Sequence, residues 1–382
     1  MNYLSIDLYK DFECIAGDCP NTCCAGWTIL IDEATRQKMV EKEDVLGVKA
    51  EEWLIDRNSA TCAKLTNFRC CMLNENNLCN VVLKLGPEYL SETCKQYPRL
   101  LAKYGSVIEC HMSLSCPEII SQLMDKECIQ FDFSSNEEKE EPFEYAELYL
   151  FESAVRTTMV NVMDALRNFS LETRLYIVYK MLEKAMEYYE QDVLDENALM
   201  QEISFYLQEN VLLSFEQQMG GVVSENARFK FLKELRTVYE TVITYGEYKD
   251  MLATATDYYK KCTYEDYIEH LELFREVTAG YERFYTNYWI AHIFLDAMAV
   301  PEYELAKGKM IYVAAEFCII QSVALAIFVK NGMKLSREKY TLIISYICRI
   351  MEHNSEFRNK LTDILNENNT VSVAGLLLMI LK

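Results

Sequence analysis

The chain has 382 residues, 51% hydrophobic and 25% charged, with only 12 Gly and 6 Pro, which excludes collagen-like and Pro-rich disordered classes and allows two or three units of about 100–200 residues each. Its 38 basic and 59 acidic residues give a formal net charge of −21, a field that repels phosphate backbones and anionic headgroups, so neither nucleic acid nor a membrane is expected as a partner. We read no run of the ~18 apolar residues a membrane helix needs, and no basic-then-apolar signal in the opening MNYLSIDLYKDF, and so expect a cytoplasmic protein.

In chain order, residues 1–128 come first as a cysteine-rich module with patchy helical periodicity. They hold 12 of the 15 cysteines and four of the six prolines, Pro20, Pro87, Pro98 and Pro117. In a reducing compartment thiols stay free, which redirects such a pattern from disulfides to metal or redox chemistry. FECIAGDCPNTCCAGW places Cys14, Cys19, Cys23 and Cys24 in eleven residues with Gly17, Pro20 and Gly26, a tight irregular loop suited to wrapping a soft metal. FRCCMLNENNLCNV adds Cys70, Cys71 and Cys79, and single cysteines follow beside prolines, Cys94 in ETCKQYPRL and Cys116 in LSCPE. Cys62, Cys71, Cys110, Cys128 and the three cysteines of the second half read as small buried hydrophobes. No C-x-x-C occurs, so a zinc ribbon is excluded, and spacing does not choose between zinc and iron. A third cysteine after Cys19 and Cys23 at three-then-two spacing would fall at Gly26.

Residues 129–142, IQFDFSSNEEKEEP, read as an acidic linker. From Phe143 to Lys382 apolar residues recur every three or four positions, the mark of an all-α domain of seven to ten helices. Ser224 is expected to start a helix, Gly220-Gly221 to separate two, and further helices to span 263–276, 281–298, 302–329, 336–353, 355–366 and 371–381. The fold class is thus mainly α, an irregular cysteine-rich metal-binding module followed by an α-helical domain. His111, His270, His292 and His353 form no His-Glu-x-x-His, and no G-x-G exists, which excludes a zincin and a glycine-rich nucleotide loop.

The order FECIAGDCPNTCCAGWTILIDEAT, CCMLNENNLCNV, LGPEYLSETCKQYPRL, SLSCPE over about residues 10–120 resembles the bacterial flagellin lysine N-methylase family. The N-terminal half of that family is in turn similar to small zinc- or iron-chelating cysteine-cluster proteins. YERFYTNYWIAHIF looks like the family's aromatic helix. The resemblance implies methyl transfer from S-adenosylmethionine to lysine side chains of flagellin, with a [4Fe-4S] cluster, or alternatively zinc, on the family cysteines. Matched position by position these are Cys14, Cys19, Cys23, Cys24, Cys70, Cys79, Cys94 and Cys116, more than the four one cubane needs.

Such a reaction makes two demands. The lysine amine must lose a proton before it attacks the sulfonium methyl; Tyr97 and Glu118 within the cysteine motifs are the candidates, with Tyr288 and His292 on the helical side. The carboxylate of the cofactor needs a cation, for which Arg99 is the candidate as a planar two-point donor. The competing expectation is a metal-binding redox or scaffold protein, with iron–sulfur or zinc and no methyl transfer. Oligomeric state is not legible.

Overall fold

The computed structural model describes residues 2–57, 60–135, 142–241, 246–296 and 306–380; residues 136–141 of the expected linker lie outside them. The N-terminal third is more regular than its cysteine spacing suggests. Strand β1 (Asn2–Ile6) leads into the one-turn helix α1 (Asp7–Asp11). After the cysteine loop come short helices α2 (Glu33–Val40), α3 (Glu43–Leu46) and α4 (Ala50–Trp53), then two small ribbons, β2 (Leu54–Arg57) with β3 (Ala60–Ala63) and β4 (Leu65–Thr66) with β5 (Arg69–Cys70). Helices α5 (Asn80–Leu85) and α6 (Glu92–Gln96) precede the hairpin β6 (Arg99–Tyr104) and β7 (Val107–Met112), then α7 (Pro117–Asp125) and β8 (Phe131–Ser135).

Four of these strands form one mixed sheet in the order β6-β7-β1-β8. The β6–β7 turn is only Gly105-Ser106, and Gly105 takes φ 58°, a left-handed backbone that glycine adopts without steric cost. β1 lies parallel to β7 and antiparallel to β8, pairing Leu4 with Glu109 and Phe133. This corrects two expectations. The module is not irregular throughout, and part of the acidic linker is strand β8, because FDFSS alternates apolar and polar residues and finds the free edge of β1.

The rest is helical as expected, though with twelve helices among the described residues where seven to ten were expected: α8 (Ala146–Ala165), α9 (Leu171–Glu190), α10 (Glu196–Ile203), α11 (Glu209–Val222), α12 (Glu225–Thr241), α13 (Gly246–Lys261), α14 (Tyr264–Thr278), α15 (Glu282–Asp296), α16 (Ala306–Lys330), α17 (Arg337–His353), α18 (Ser355–Glu367) and α19 (Val373–Met379). Side-chain caps set several starts. Thr263 and Asp266 form a reciprocal capping box, and Ser224 and Ser336 accept from Ala227 and Lys339. Gly220-Gly221 does not break a helix: α11 runs through both and ends at Val222, just before the Ser224 cap. The expected helix ends at 297–298 and 302–305 lie outside the described residues.

Helix α16 corrects another expectation, since it is long and apolar enough to cross a membrane by length and composition. Its all-round apolarity has a different cause here. It runs through the middle of the bundle with 94% of its most apolar window buried, packed by α9, α13, α14, α15, α17 and α19.

The core does not follow the sequence boundary at 128. One cluster joins Ile6 and Met112 of the sheet, Leu8 of α1 and Ile119, Ile120 and Leu123 of α7 to the helices as far as Ile380. A small satellite of Ile29, Ile31, Met39, Leu46, Trp53, Ala63, Met72 and Val81 underlies the cysteine loops alone. Sheet and helices are also pinned by Glu109 on β7. Its carboxylate accepts from Arg156 Nη1 (2.9 Å) and Tyr149 (2.8 Å), is bridged by Arg156 Nη2, and meets His111 Nε2 at 3.3 Å. Burial pushes this carboxyl up, but the His111 hydrogen bond and the Arg156 charge outweigh it and hold the group at about 2.

Glu109→Ala therefore strands a buried guanidinium and should cost about 3–5 kcal/mol in urea unfolding, while Glu109→Leu combined with Arg156→Met recovers most of that loss. The folded carboxyl lies below its ordinary 4.5, so its stabilisation is full above that value and disappears as pH falls toward 2. Acid unfolding of the double variant should show a smaller loss across that window than the parent.

Candidate functional site

Between the cysteine loops lies a cavity of about 370 Å³. Seven cysteines line it, Cys14, Cys19, Cys23, Cys24, Cys70, Cys79 and Cys94, with Trp27 and Tyr97 among the aromatic walls. These are seven of the eight singled out in the sequence. Cys116, the eighth, is off the lining but close enough to Cys19 for their charges to interact. The four expected bystanders, Cys62, Cys71, Cys110 and Cys128, lie off it too.

Backbone pairing brings distant segments together. Cys70 N–H donates to Cys24 O at 2.7 Å and Gly26 N–H to Phe68 O at 2.8 Å, which lays the first loop along β5. Leu73 bridges Cys79. Ser91 caps α6 by accepting from Cys94 N–H at 3.3 Å, and so fixes where Cys94 begins its turn. Cys79 and Cys116 stand at the N-caps of α5 and α7, where their thiols face backbone N–H groups.

Cys24 is the electrostatic hub, acting on Cys19, Cys23, Cys70, Cys79 and Cys94. It is also the most readily ionised of the group. The hydrogen bond from Cys23, with Thr22, Arg349 and Arg69, outweighs burial and brings its thiol down to about 7. Burial pushes Cys94 up to about 11 and Cys116 up to about 12. A soft metal or iron–sulfur group fits this donor set by chemistry, since the convergent ligands are thiols in an apolar wall. Among the described residues, however, no three His, Cys, Asp or Glu are already gathered as a ligand set.

Arg349 of α17 holds the first loop in place. Buried to 3% exposure, it donates from Nη1 to Asn21 Oδ1 (2.7 Å) and Thr22 O (2.8 Å), and from Nη2 to Asn21 O and Ser115 O (both 3.1 Å). Ser345, one turn earlier on the same face, accepts from Asn21 Nδ2 at 3.1 Å. One turn later Glu352 takes hydrogen bonds from Ser113 (2.9 Å) and Ser115 (2.8 Å), and Ser115 is bonded in turn to the Tyr97 hydroxyl at 3.1 Å. His353 stacks on Trp27 with ring centroids 4.6 Å apart.

Of the other residues drawn from the sequence, Tyr97 is at the cavity wall. Arg99 spends its guanidinium on Tyr9 O (3.2 Å) and Phe12 O (3.0 Å) and lies over both rings, buttressing α1. Glu118 accepts from Gln122 one turn along α7, away from the cavity lining. Tyr288 and His292 meet Glu316 inside the helical core. The sequence reading missed Arg349, Glu352, Ser113 and Ser115. The available signal was the spacing of Ser345, Arg349 and Glu352 at i, i+4 and i+7, which puts three polar groups on one face along the mostly apolar stretch 342–351 of the helix.

Residues 156–379 match the FliB lysine N-methylase C-terminal domain. The chain belongs to the FliB lysine N-methylase family. This FliB-family match contains Arg349 and Glu352 and none of the cavity cysteines. The chain is also 30% identical over 121 residues to proteins named lysine-N-methylase from Salmonella typhimurium and Salmonella choleraesuis, covering 30% of this chain and 30% of each relative. At the same identity and length it matches the flagellar biosynthetic protein FliU of Salmonella muenchen, covering 72% of that protein. No solved structure matches.

Two outcomes follow for this FliB-family chain. In metal-free protein near neutral pH, brief alkylation and peptide mapping should label Cys24 ahead of Cys23, Cys70 and Cys94, because the thiolate is the reactive form. Arg349→Met should cost about 3 kcal/mol or more through lost charge-assisted hydrogen bonds, and limited proteolysis should then cut the 14–27 loop before the helices.

Proposed function

We propose that the protein is a lysine N-methyltransferase that uses S-adenosylmethionine, with flagellin as its substrate and a cysteine-held iron–sulfur cluster in the cavity between the loops. The observation that carries this reading is the convergence of seven thiols from four chain segments on one cavity, in a chain of the FliB lysine N-methylase family. The flagellar name of the Salmonella relative FliU supports the choice of flagellin.

Cys24, with ligands drawn from Cys19, Cys23, Cys70, Cys79 and Cys94, would hold the group. Once bound, it would cross-link the loops through thiolates and supply a redox-active iron centre. The chain's own residues have three tasks. The apolar wall excludes water and so raises the cost of a charged lysine, which favours the neutral amine that attacks a methyl group. Trp27 and Tyr97 offer aromatic faces to cationic groups, both the sulfonium and the ammonium. The formal net charge of −21 draws a lysine-bearing partner toward the protein.

The test combines anaerobic purification with an assay. A brown protein containing iron and sulfide, which transfers label from S-adenosylmethionine to lysines of cognate flagellin, is the expected result. Cys24→Ser should weaken metal binding by more than ~10-fold. A colourless protein holding zinc and transferring no label would point instead to a metal-stapled scaffold.

A further inference from the structure

Strand β8 ends the mixed sheet with an open, apolar edge. Backbone groups alternate along an antiparallel pair, so each strand bonds a given neighbour at every second residue. Asp7 N–H donates to Gln130 O at 2.9 Å, whereas Asn2 N–H turns the other way, to Ser106 O at 2.8 Å. Ser5 stands opposite Asp132 and Tyr3 opposite Ser134, so the ladder to β1 uses Asp132 and Ser134. The N–H and C=O groups of Phe131, Phe133 and Ser135 therefore point outward. Among the described residues no strand lies beyond β8, and none of those outward groups has a backbone partner.

The side chains of the strand add to this. Phe131 packs edge-on against Phe294 of α15, with ring centroids 5.1 Å apart. Phe133 lies two residues on, hence on the same face, and keeps 67% of its surface exposed. On the opposite face Asp132 is taken by Lys10 at 3.0 Å. Native sheets guard their edges with proline, charge or a cover, because an open edge pairs with other extended chains. A bare phenyl ring in the middle of the edge is the reverse of that protection. Charge comes only after the strand, where residues 136–147 hold six glutamates and one lysine.

We propose that β8 is the docking strand for the protein substrate. An extended, lysine-bearing segment of flagellin adds to the sheet by bonding the outward groups of Phe131, Phe133 and Ser135, lays an apolar side chain on Phe133, and carries its basic residues toward the glutamates that follow. The identity of this occupant rests on the lysine methyltransferase reading above. Charge selects it over a second copy of the chain. Each copy carries a net −21, and an antiparallel pair centred on Phe133 would set the acidic segment of one copy toward Glu127 of the other. Main-chain bonds supply affinity and the Phe133 contact supplies selectivity. The strand holds the substrate chain and takes no part in methyl transfer, so it acts on KM and not on kcat.

The experiment uses the full-length, metal-loaded protein and cognate flagellin, with Phe133→Asp, Ser135→Pro and Phe133→Leu. Phe133→Asp removes the apolar contact, and Ser135→Pro removes one outward N–H while leaving the ladder to β1 intact. Each should weaken flagellin binding in calorimetry by about 10-fold and raise KM by a like factor with kcat unchanged, while Phe133→Leu stays near the parent. Binding to the parent should weaken as salt rises from ~0.05 to ~0.5 M. A parent that binds flagellin through Phe133 in this way but methylates no lysine overturns the methyltransferase reading and leaves the docking strand standing. Methylation with binding and KM unchanged in both Phe133→Asp and Ser135→Pro overturns the docking strand and leaves that reading intact. A dimer in sedimentation that Phe133→Asp disperses also overturns the proposal, because a second copy then occupies the edge.

Discussion

A buried guanidinium ties the cysteine loop to the helical half of this molecule. Arg349 rises from α17 into the CPNTCCAG loop and satisfies carbonyls of Asn21, Thr22 and Ser115 that belong to no helix or sheet. Loop backbone with no regular partners is costly to bury, and a planar five-donor group answers several acceptors at once. The same helix face carries Ser345 and Glu352, so one rigid element sets the cysteine loop, the Ser113–Ser115 segment and the wall around Tyr97. The cavity is built from loops, but its shape is dictated by a helix.

The helical half was legible because its physics is local. Amphipathic periodicity and caps such as Ser336 and Thr263 place helix starts to within a residue or two. The N-terminal sheet was not, because β1 is five residues long and its partners lie about a hundred residues downstream. Pairings at that range leave no trace in a short window, and the FDFSS strand was masked by the acidic residues that follow it. The apolarity of α16 was underestimated for a related reason: scattered polar residues such as Glu316 and Gln321 interrupt a run that is buried on every side.

The candidate site divides along the same line. Thiol-rich motifs mark themselves by composition, and seven of the eight chosen cysteines do line one cavity. Charged residues are harder to assign, because Arg99 and Arg349 look alike as letters. Arg99 spends its donors on α1, whereas Arg349 reaches the loop from 328 residues away. Polar residues sharing one face of a mostly buried helix are a better clue than charged residues close to the cysteines in sequence.

That separation sets an order of events during synthesis. The cysteine loop is made before the helix that anchors it, and β1 waits for β7 and β8 before it has a sheet to join. Arg349 follows Asn21 by 328 residues, so the nascent loop is made long before its anchor. The first loop therefore gains its side-chain anchor only once α17 has been made, after most of the helices it packs against.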